Sequence, residues 1–269
     1  MSTTDRKKKL ERSHKFFTFT AFDIVGEILF SQQFSFLEQG KDVGNAVANS
    51  LALNAYAAVA GFFLIIHRKL IANPVITWLN ILPYDPQRVK LRNVYAIATR
   101  AVGAESDTVS TGMQSFVYHM IRRKGAWDKS REEIMSSQPE EGRCKDKVVS
   151  FGDAQKLPYL QVCLKEALRV FSPVPMTLPR VAGKEGVIWG KDAKEFRPER
   201  WLGENEGFGQ WYQSCPGRHV ARIEMSKLAA TLVRDYDIQQ VDPEKNWEWK
   251  AYFTVVPEKW PVYIKSRAT

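Results

Sequence analysis

Residues 208–221 read FGQWYQSCPGRHVA, and this stretch joins a thiol, a Pro-Gly pair and two basic side chains to the start of a helix. Apolar residues then recur at helical spacing, at Ala221, Met225, Leu228 and Leu232. Proline is favoured in the first turn of a helix because its fixed φ suits the helix and its missing N–H has no partner there. The pattern therefore predicts a helix that begins just after the cysteine of this stretch.

Cys215 is accordingly expected at a helix N-terminus. Backbone N–H groups and the positive end of the helix dipole stabilise a thiolate there, and Arg218 and His219 add positive charge. Gly217 lets the backbone pass close to a bulky group. A thiolate in this setting is either a nucleophile or a ligand for a soft metal, whereas an isolated cysteine is about as often an inert small apolar residue.

The same stretch resembles the haem-binding loop of the cytochrome P-450 family, which reads Phe-x-x-Gly-x-Arg-x-Cys-x-Gly. Phe208, Cys215 and Gly217 match this loop, whereas Trp211 stands at its glycine and Gln213 at its arginine. In the family the cysteine thiolate is the proximal ligand of the haem iron. The resemblance implies that Cys215 binds the iron of haem b, with Phe208 and Gly217 beside the haem.

A second resemblance lies in a helical pattern that runs from Val89 to Arg123, where residues 104–108 read AESDT. The family's central helix carries Ala/Gly-Gly-x-Asp/Glu-Thr, in which the small residues leave room for dioxygen and the acid and alcohol relay protons. The resemblance implies that Asp107 and Thr108 are the catalytic residues. Glu105 replaces the groove glycine, where a carboxylate crowds the oxygen site. Taken without the other motifs, Ser-Asp-Thr is an ordinary solvated helical turn.

A third resemblance involves Glu166 and Arg169, three residues apart on an amphipathic helix. The apolar stripe of this helix is formed by Leu157, Leu160, Leu164, Leu168 and Phe171. Such a charged pair is usually a surface ion pair that contributes little. Glu-x-x-Arg followed about thirty residues later by FRPERW at residues 196–201 nevertheless resembles the family's second diagnostic pair. The resemblance implies that Glu166, Arg169 and Arg200 form a buried triad that fixes the loop of the haem ligand.

The resemblance extends over most of the chain, in separate blocks. It makes Arg180 and Arg218 candidates for holding the haem propionates. Between Gly186 and Val187 the family has a β-hairpin and a short helix that this sequence lacks. We therefore expect residues 1–269 to form one domain that is mainly α with small β portions. This is a truncated cytochrome P-450-like fold without the family's N-terminal region and internal segments.

The bulk composition excludes some other classes of protein. The formal charge is +9 and the sequence pI is near 9.4, but the basic residues are scattered and show no aromatic-basic motif, which argues against a nucleic-acid partner. The three cysteines, Cys144, Cys163 and Cys215, are far apart, which indicates a reducing compartment and no disulfide framework.

Residues 46–66, AVANSLALNAYAAVAGFFLII, are long and apolar enough to span a bilayer. Asn49, Ser50 and Asn54 lie within this segment and favour a buried or membrane-dipping helix over a true span. The residues from Met1 to His14 are polar and charged, so we expect neither a signal peptide nor a membrane anchor there. We expect the protein at the endoplasmic reticulum membrane or in the cytoplasm.

The function that the resemblance implies is monooxygenation by a haem-thiolate enzyme. One oxygen atom of O2 would enter an apolar small molecule, with electrons delivered from NADPH by a cytochrome P-450 reductase. The matching phrases are similar to those of fungal members, which favours secondary metabolism. The alternative is a degenerate, catalytically inactive member of the family, which Glu105, Trp211 and Gln213 favour.

Overall fold

The computed structural model describes residues 8–10, 13–60, 94–141, 144–175, 191–202, 215, 217–258 and 260–267. The helices over these residues are α1 (Ser13–Phe30), α2 (Phe36–Gln39), α3 (Ala46–Ala60), α4 (Val94–Arg122), α5 (Ala126–Glu141), α6 (Phe151–Gln155), α7 (Pro158–Val170) and α8 (Arg218–Asp235). Two 3-10 turns cover Val43–Asn45 and Pro198–Trp201. The architecture is mainly helical with small β portions, as the sequence predicts.

The strands are β1 (Lys8–Leu10), β2 (Tyr236–Gln240), β3 (Glu248–Ala251), β4 (Val255–Glu258) and β5 (Val262–Ser266). They form an antiparallel sheet ordered β1-β5-β2 and a separate antiparallel pair of β3 and β4. In the larger sheet, Leu10 and Gln240 both pair with Val262. This sheet joins the first described residues of the chain to the last.

Helix α4 lies at the centre of the core. Its buried apolar side chains include Met113, Phe116, Val117 and Met120, each at most 1% exposed. The predicted helix over Val89–Arg123 is observed from Val94 to Arg122, and residues 89–93 lie outside the described part of the chain.

Buried polar side chains of α4 connect this helix to the elements around it. The pairs are Thr18 Oγ1 with Ser110 Oγ at 2.9 Å, Thr111 Oγ1 with the Val255 carbonyl at 2.7 Å, Trp260 Nε1 with Gln114 Oε1 at 3.1 Å and Ser115 Oγ with the Ala167 carbonyl at 2.9 Å. Each pair satisfies polar groups that would be costly to bury alone. The polar residues of α4 therefore fix its position against α1, β4 and α7.

Gly112 allows α4 to approach α7 and α8 closely. A Cβ atom added at this glycine would lie 3.0 Å from Met225 Cε and 3.1 Å from Leu168 Cδ2. Carbon atoms in favourable contact are about 3.5–4.0 Å apart, so a methyl group here would force the side chains of Met225 and Leu168 to shift. Gly112 thus leaves room for Met225 of α8, the helix that follows Cys215, to pack against α4.

Three boundaries differ from those that the sequence predicts. The apolar residues between positions 16 and 36 predict one helix over Phe16–Phe36, but the helix ends at Phe30 and Ser31 takes a positive φ of 53°. The Asp23 carboxylate then accepts hydrogen bonds from the amides of Phe36 and Leu37 and starts α2 as a separate helix.

The stretches YFTVV at residues 252–256 and WPVYI at residues 260–264 predict two strands. The first strand begins at Val255, because residues 252–254 form the turn between β3 and β4, and the second begins at Val262.

The stretch SSQPEEG at residues 136–142 predicts a loop between helices. This prediction is wrong, because α5 continues to Glu141 with Pro139 in its last turn. Two serines also support this turn: Ser136 Oγ donates to the Glu133 carbonyl at 3.0 Å and Ser137 Oγ donates to the Ile134 carbonyl at 2.7 Å.

Among the described residues, no helix is both long enough and apolar enough to cross a membrane. Helix α3 covers the first fifteen residues of the apolar segment at 46–66, and residues 61–66 lie outside the described part of the chain.

The substitution Gly112→Ala should lower the free energy of unfolding by about 1–3 kcal/mol, because the added methyl group overpacks the contact between α4 and α8. Urea unfolding followed by circular dichroism measures this change. Gly152→Ala is the matched control, since a Cβ atom there meets only Ser150 Oγ at 4.0 Å. Equal stability of the two variants would contradict the close approach at Gly112.

Candidate functional site

Cys215 lies three residues before α8, so the helix begins just after the cysteine as the sequence predicts, but it begins at Arg218 and not with Pro216 in its first turn. Gly217 is the N-cap of this helix, and the Cys215 carbonyl accepts a hydrogen bond from the Arg218 amide at 3.1 Å. The Gly217 carbonyl accepts the next bond, from the Ala221 amide at 3.0 Å. Helix α8 therefore holds the cysteine through the backbone and leaves its side chain out of the core.

The thiol of Cys215 is exposed, whereas Cys144 and Cys163 are buried. Burial raises the pKa of the Cys163 thiol to about 12, which keeps this group protonated at neutral pH. Cys163 and Cys144 are each 0% exposed. Of the three cysteines, Cys215 alone presents its sulfur to a ligand.

Residues 203–214 and 216 lie outside the described part of the chain, so the described neighbours of Cys215 are those of the α8 N-terminus. A Cβ atom added at Gly217 would lie 3.7 Å from Cys215 Sγ, which is an ordinary van der Waals contact. A single exposed thiolate suits a metal that obtains its other ligands from a prosthetic group. Arg218 and His219 are exposed on the first turn of α8, with Arg218 Nε 3.2 Å from His219 Nε2. Two of the predicted haem contacts, Arg180 and Phe208, lie outside the described part of the chain, as do Trp211 and Gln213, the two departures from the family loop.

Asp107 lies on α4 and is only 6% exposed. Its Oδ2 atom accepts a hydrogen bond from Ser50 Oγ at 2.7 Å and another from Asn54 Nδ2. Burial raises the pKa of the Asp107 carboxyl, and the two hydrogen bonds oppose that rise. Thr108, the predicted alcohol of the relay, is half-buried in the next position of the same helix.

The structure brings Glu166, Arg169 and Arg200 together around one fully buried carboxylate. Arg169 holds Glu166 bidentately, with Nε donating to Oε2 at 2.7 Å and Nη2 donating to Oε1 at 2.9 Å. Arg200 Nε donates to Oε1 at 2.9 Å. A planar guanidinium is suited to this bidentate geometry.

Two further donors to Glu166 come from the same segment as Arg200. The Arg197 amide donates to Oε1 at 2.7 Å, and Trp201 Nε1 donates to Oε2 at 2.9 Å. Arg169 also donates to the carbonyls of Ala193 and Glu195, at 2.7 and 2.9 Å. This Glu166 network therefore ties residues 191–202, which precede the Cys215 stretch, to α7.

The charge state of Glu166 follows from its partners. Burial raises the pKa of this carboxyl, but the hydrogen bonds from Arg169, the Arg197 amide, Trp201 and Arg200 together outweigh burial, so the pKa is lower than usual. Glu166 is therefore ionised in the folded protein.

His119 of α4 contacts residues 191–202, the segment that the Glu166 network ties to α7. Its ring stacks on Phe196, with centroids 5.4 Å apart, and its Nδ1 lies 2.8 Å from the Ser115 carbonyl. Burial lowers the pKa of His119, a hydrogen bond to the Ser115 carbonyl opposes this, and the charge of Arg122 lowers the pKa further. The ring packs as a neutral aromatic group.

Several residues around these groups were missed by sequence reasoning. Ser50 and Asn54 are four residues apart and share one face of α3, but they counted only as polar residues that argue against a membrane span. Trp201 ends the FRPERW stretch, whose spacing gives no sign that the indole N–H reaches Glu166. Gly112 could not be recognised either, because its role depends on the partner helices.

The family model described as Cytochrome P-450 matches residues 83–190 and 183–262. The chain belongs to the cytochrome P-450 family. The two matched blocks meet at residues 183–190, the region where the sequence suggests missing residues.

Curated relatives of this cytochrome P-450 chain include fungal enzymes. It is 26% identical to cytochrome P-450 monooxygenase cicH of Emericella nidulans, covering 92% of this chain and 64% of the relative. It is 27% identical to cytochrome P-450 monooxygenase hepC of Aspergillus oryzae, covering 88% of this chain and 60% of the relative. Pisatin demethylase of Fusarium vanettenii is 32% identical over 62% of this chain and 37% of the relative. The chain thus spans less than two thirds of the length of these relatives.

A solved structure shows the same fold. The crystal structure of a cytochrome P-450 superposes with a TM-score of 0.69 at 18% identity, and the match covers 97% of this chain and 69% of that chain. The predicted cytochrome P-450-like fold, shorter than that structure, is confirmed.

The substitution Arg200→Ala should lower the free energy of unfolding by about 3–5 kcal/mol, because it leaves the buried charge of Glu166 without one of its partners. Arg123→Ala is the matched control, since Arg123 lies 3.7 Å from Glu199 and both side chains are 41% exposed. The control should lose less than about 1 kcal/mol in the same urea titration. Similar losses in the two variants would show that the Glu166 network is not buried.

The lowered pKa of Glu166 predicts loss of stability in acid. The folded protein binds fewer protons at this site than the unfolded chain, so the stabilisation is complete above the ordinary value of 4.5 and is lost as the pH falls through the lowered value. Urea unfolding between pH 7 and pH 3 should show the stability difference between the parent and Glu166→Gln narrowing below pH 4.5. A difference that stays constant with pH would contradict an ionised Glu166.

Proposed function

We propose that this chain is a haem-thiolate monooxygenase in which Cys215 binds the iron. The observation that carries this proposal is the exposed thiol at the start of α8, within a matched block of the family, while Cys144 and Cys163 are buried. The relatives described above are named as monooxygenases and a demethylase. Their names favour the enzyme over the inactive alternative.

Bound haem b supplies the activation of dioxygen, so that one oxygen atom enters an apolar small molecule. The residues of this chain hold the group and move protons. We assign Phe208 and Gly217 to the haem border, and Arg180 and Arg218 to the propionates, because an arginine can hold a carboxylate bidentately.

Asp107 and Thr108 are the proposed proton relay. A carboxyl group whose pKa is raised by burial exchanges protons closer to neutral pH than an exposed one. The neighbouring Thr108 hydroxyl can both donate and accept a hydrogen bond. Together they offer a proton path on the helix that packs against α8 at Gly112.

We propose that electrons come from NADPH through a cytochrome P-450 reductase and that the substrate belongs to secondary metabolism. The formal charge of +9 suits an acidic reductase. We place the protein at the endoplasmic reticulum membrane or in the cytoplasm.

We also propose that the chain is one domain that lacks part of the family's usual length. The break between the two matched blocks supports missing residues between Gly186 and Val187. The alignment with cicH supports them too, because it extends over 319 positions, more than the 269 residues of this chain.

Carbon monoxide binding tests the proposed ligand. Haem-supplemented, reduced protein should show the strongly red-shifted Soret band of thiolate ligation when carbon monoxide is added. Cys215→Ser should abolish this band, because a serine hydroxyl does not replace a thiolate ligand.

Cys144→Ser and Cys163→Ser are the matched controls and should keep the band, since both thiols are buried away from any ligand. A histidine-like, unshifted band in the parent protein, or a red-shifted band that survives in Cys215→Ser, would overturn the assignment.

A further inference from the structure

Helix α3 contacts α4 through a polar cluster of Ser50, Asn54 and Asp107. Ser50 and Asn54 are four residues apart, so their side chains project from the same face of α3. Both are half-buried, and both donate to the same oxygen atom, Oδ2 of Asp107. The cluster joins residues more than fifty positions apart in the chain.

The hydrogen bonds from Ser50 and Asn54 lower the free-energy cost of burying the Asp107 carboxylate in its ionised form. An ionised carboxyl group is costly to bury unless it accepts hydrogen bonds. Ser50 and Asn54 supply such bonds from neutral side chains, and α3 carries no Asp, Glu, Lys, Arg or His over Ala46–Ala60. Hydrogen bonds from α3, and not an opposite charge on that helix, hold the Asp107 carboxylate.

Other charged groups are carried by elements near this part of α4. The charged residues and histidines of α1 are His14, Lys15, Asp23 and Glu27, and those of α4 besides Asp107 are Arg100, Glu105, His119 and Arg122. Asp23 already accepts the amides of Phe36 and Leu37. The influences that shift the pKa of Asp107 are burial, Ser50 and Asn54, in that order.

We propose that Ser50 and Asn54 are positioning residues that hold the carboxylate of Asp107 and so couple the position of α3 to the acid of the proton relay. The relay itself rests on the proposed function, whereas the coupling rests on the contacts of α3. When α3 is in place, Oδ2 of Asp107 accepts hydrogen bonds from Ser50 and Asn54, which fix the orientation of the Asp107 side chain. When α3 moves away, the carboxyl loses both donors and part of its burial, so neither its orientation nor its pKa is held.

The coupling is tested by titration of the Asp107 carboxyl in the full-length protein, observed by carbon-13 NMR and assigned by the signal that Asp107→Asn removes. Ser50→Ala and Asn54→Ala should each raise the pKa of Asp107, because each removes a hydrogen bond that favours the charged form. The double variant should raise the pKa of Asp107 further. Ser50→Thr keeps a hydroxyl group, so Asp107 should have the same pKa in this variant as in the parent protein.

Ser110→Ala is the matched control. Ser110 lies on the same helix and hydrogen-bonds Thr18 of α1 at 2.9 Å, so this variant also removes a contact between helices. A purely structural role for Ser50 and Asn54 would lower the melting temperature, as in the control, without moving the pKa of Asp107. An unchanged pKa in the double variant, or the same rise in Ser110→Ala, would overturn the proposal.

The result is separate from the test of the haem ligand. Loss of the thiolate band in the parent protein would remove the proposed function and leave the titration of Asp107 interpretable. An unchanged titration would remove the coupling and leave Cys215 as the proposed ligand.

Discussion

The structure depends on the buried carboxylate of Glu166, which accepts five hydrogen bonds from four residues. Without these partners, the charge would cost several kcal/mol to bury. With them, it fastens residues 191–202 to α7, and α7 in turn packs on α4. Cys215 is held separately, through the hydrogen bond from the Arg218 amide at the start of α8 to its carbonyl.

The position of Cys215 could be predicted because it depends on local signals. Pro216, Gly217 and the apolar repeat that follows define a helix start whatever the surrounding fold. The burial of Glu166 could not be predicted this way, because three-residue spacing from Arg169 is equally typical of a surface pair. Only resemblance to the family indicated burial, and the Arg197 amide and Trp201 complete the site from a distant segment.

Long-range contacts explain what sequence reasoning missed. Lys8 and Lys9 read as part of a charged N-terminus, yet β1 forms because β5 offers an edge for Lys8–Leu10 to pair with. Ser50 and Asn54 gave no sign of their partner, since Asp107 lies on another helix. Pro139 indicated a loop, but α5 continues past it to Glu141.

The proposed haem site requires that α8 leave the thiol of Cys215 open to a ligand. Alkylation of the native protein with iodoacetamide, read by mass spectrometry of the peptides, tests this claim most directly. Without haem, Cys215 should be labelled while Cys144 and Cys163 react only after unfolding, and saturating haem should protect Cys215. Labelling of Cys215 that haem leaves unchanged, or protection of Cys163 in its place, would contradict the claim.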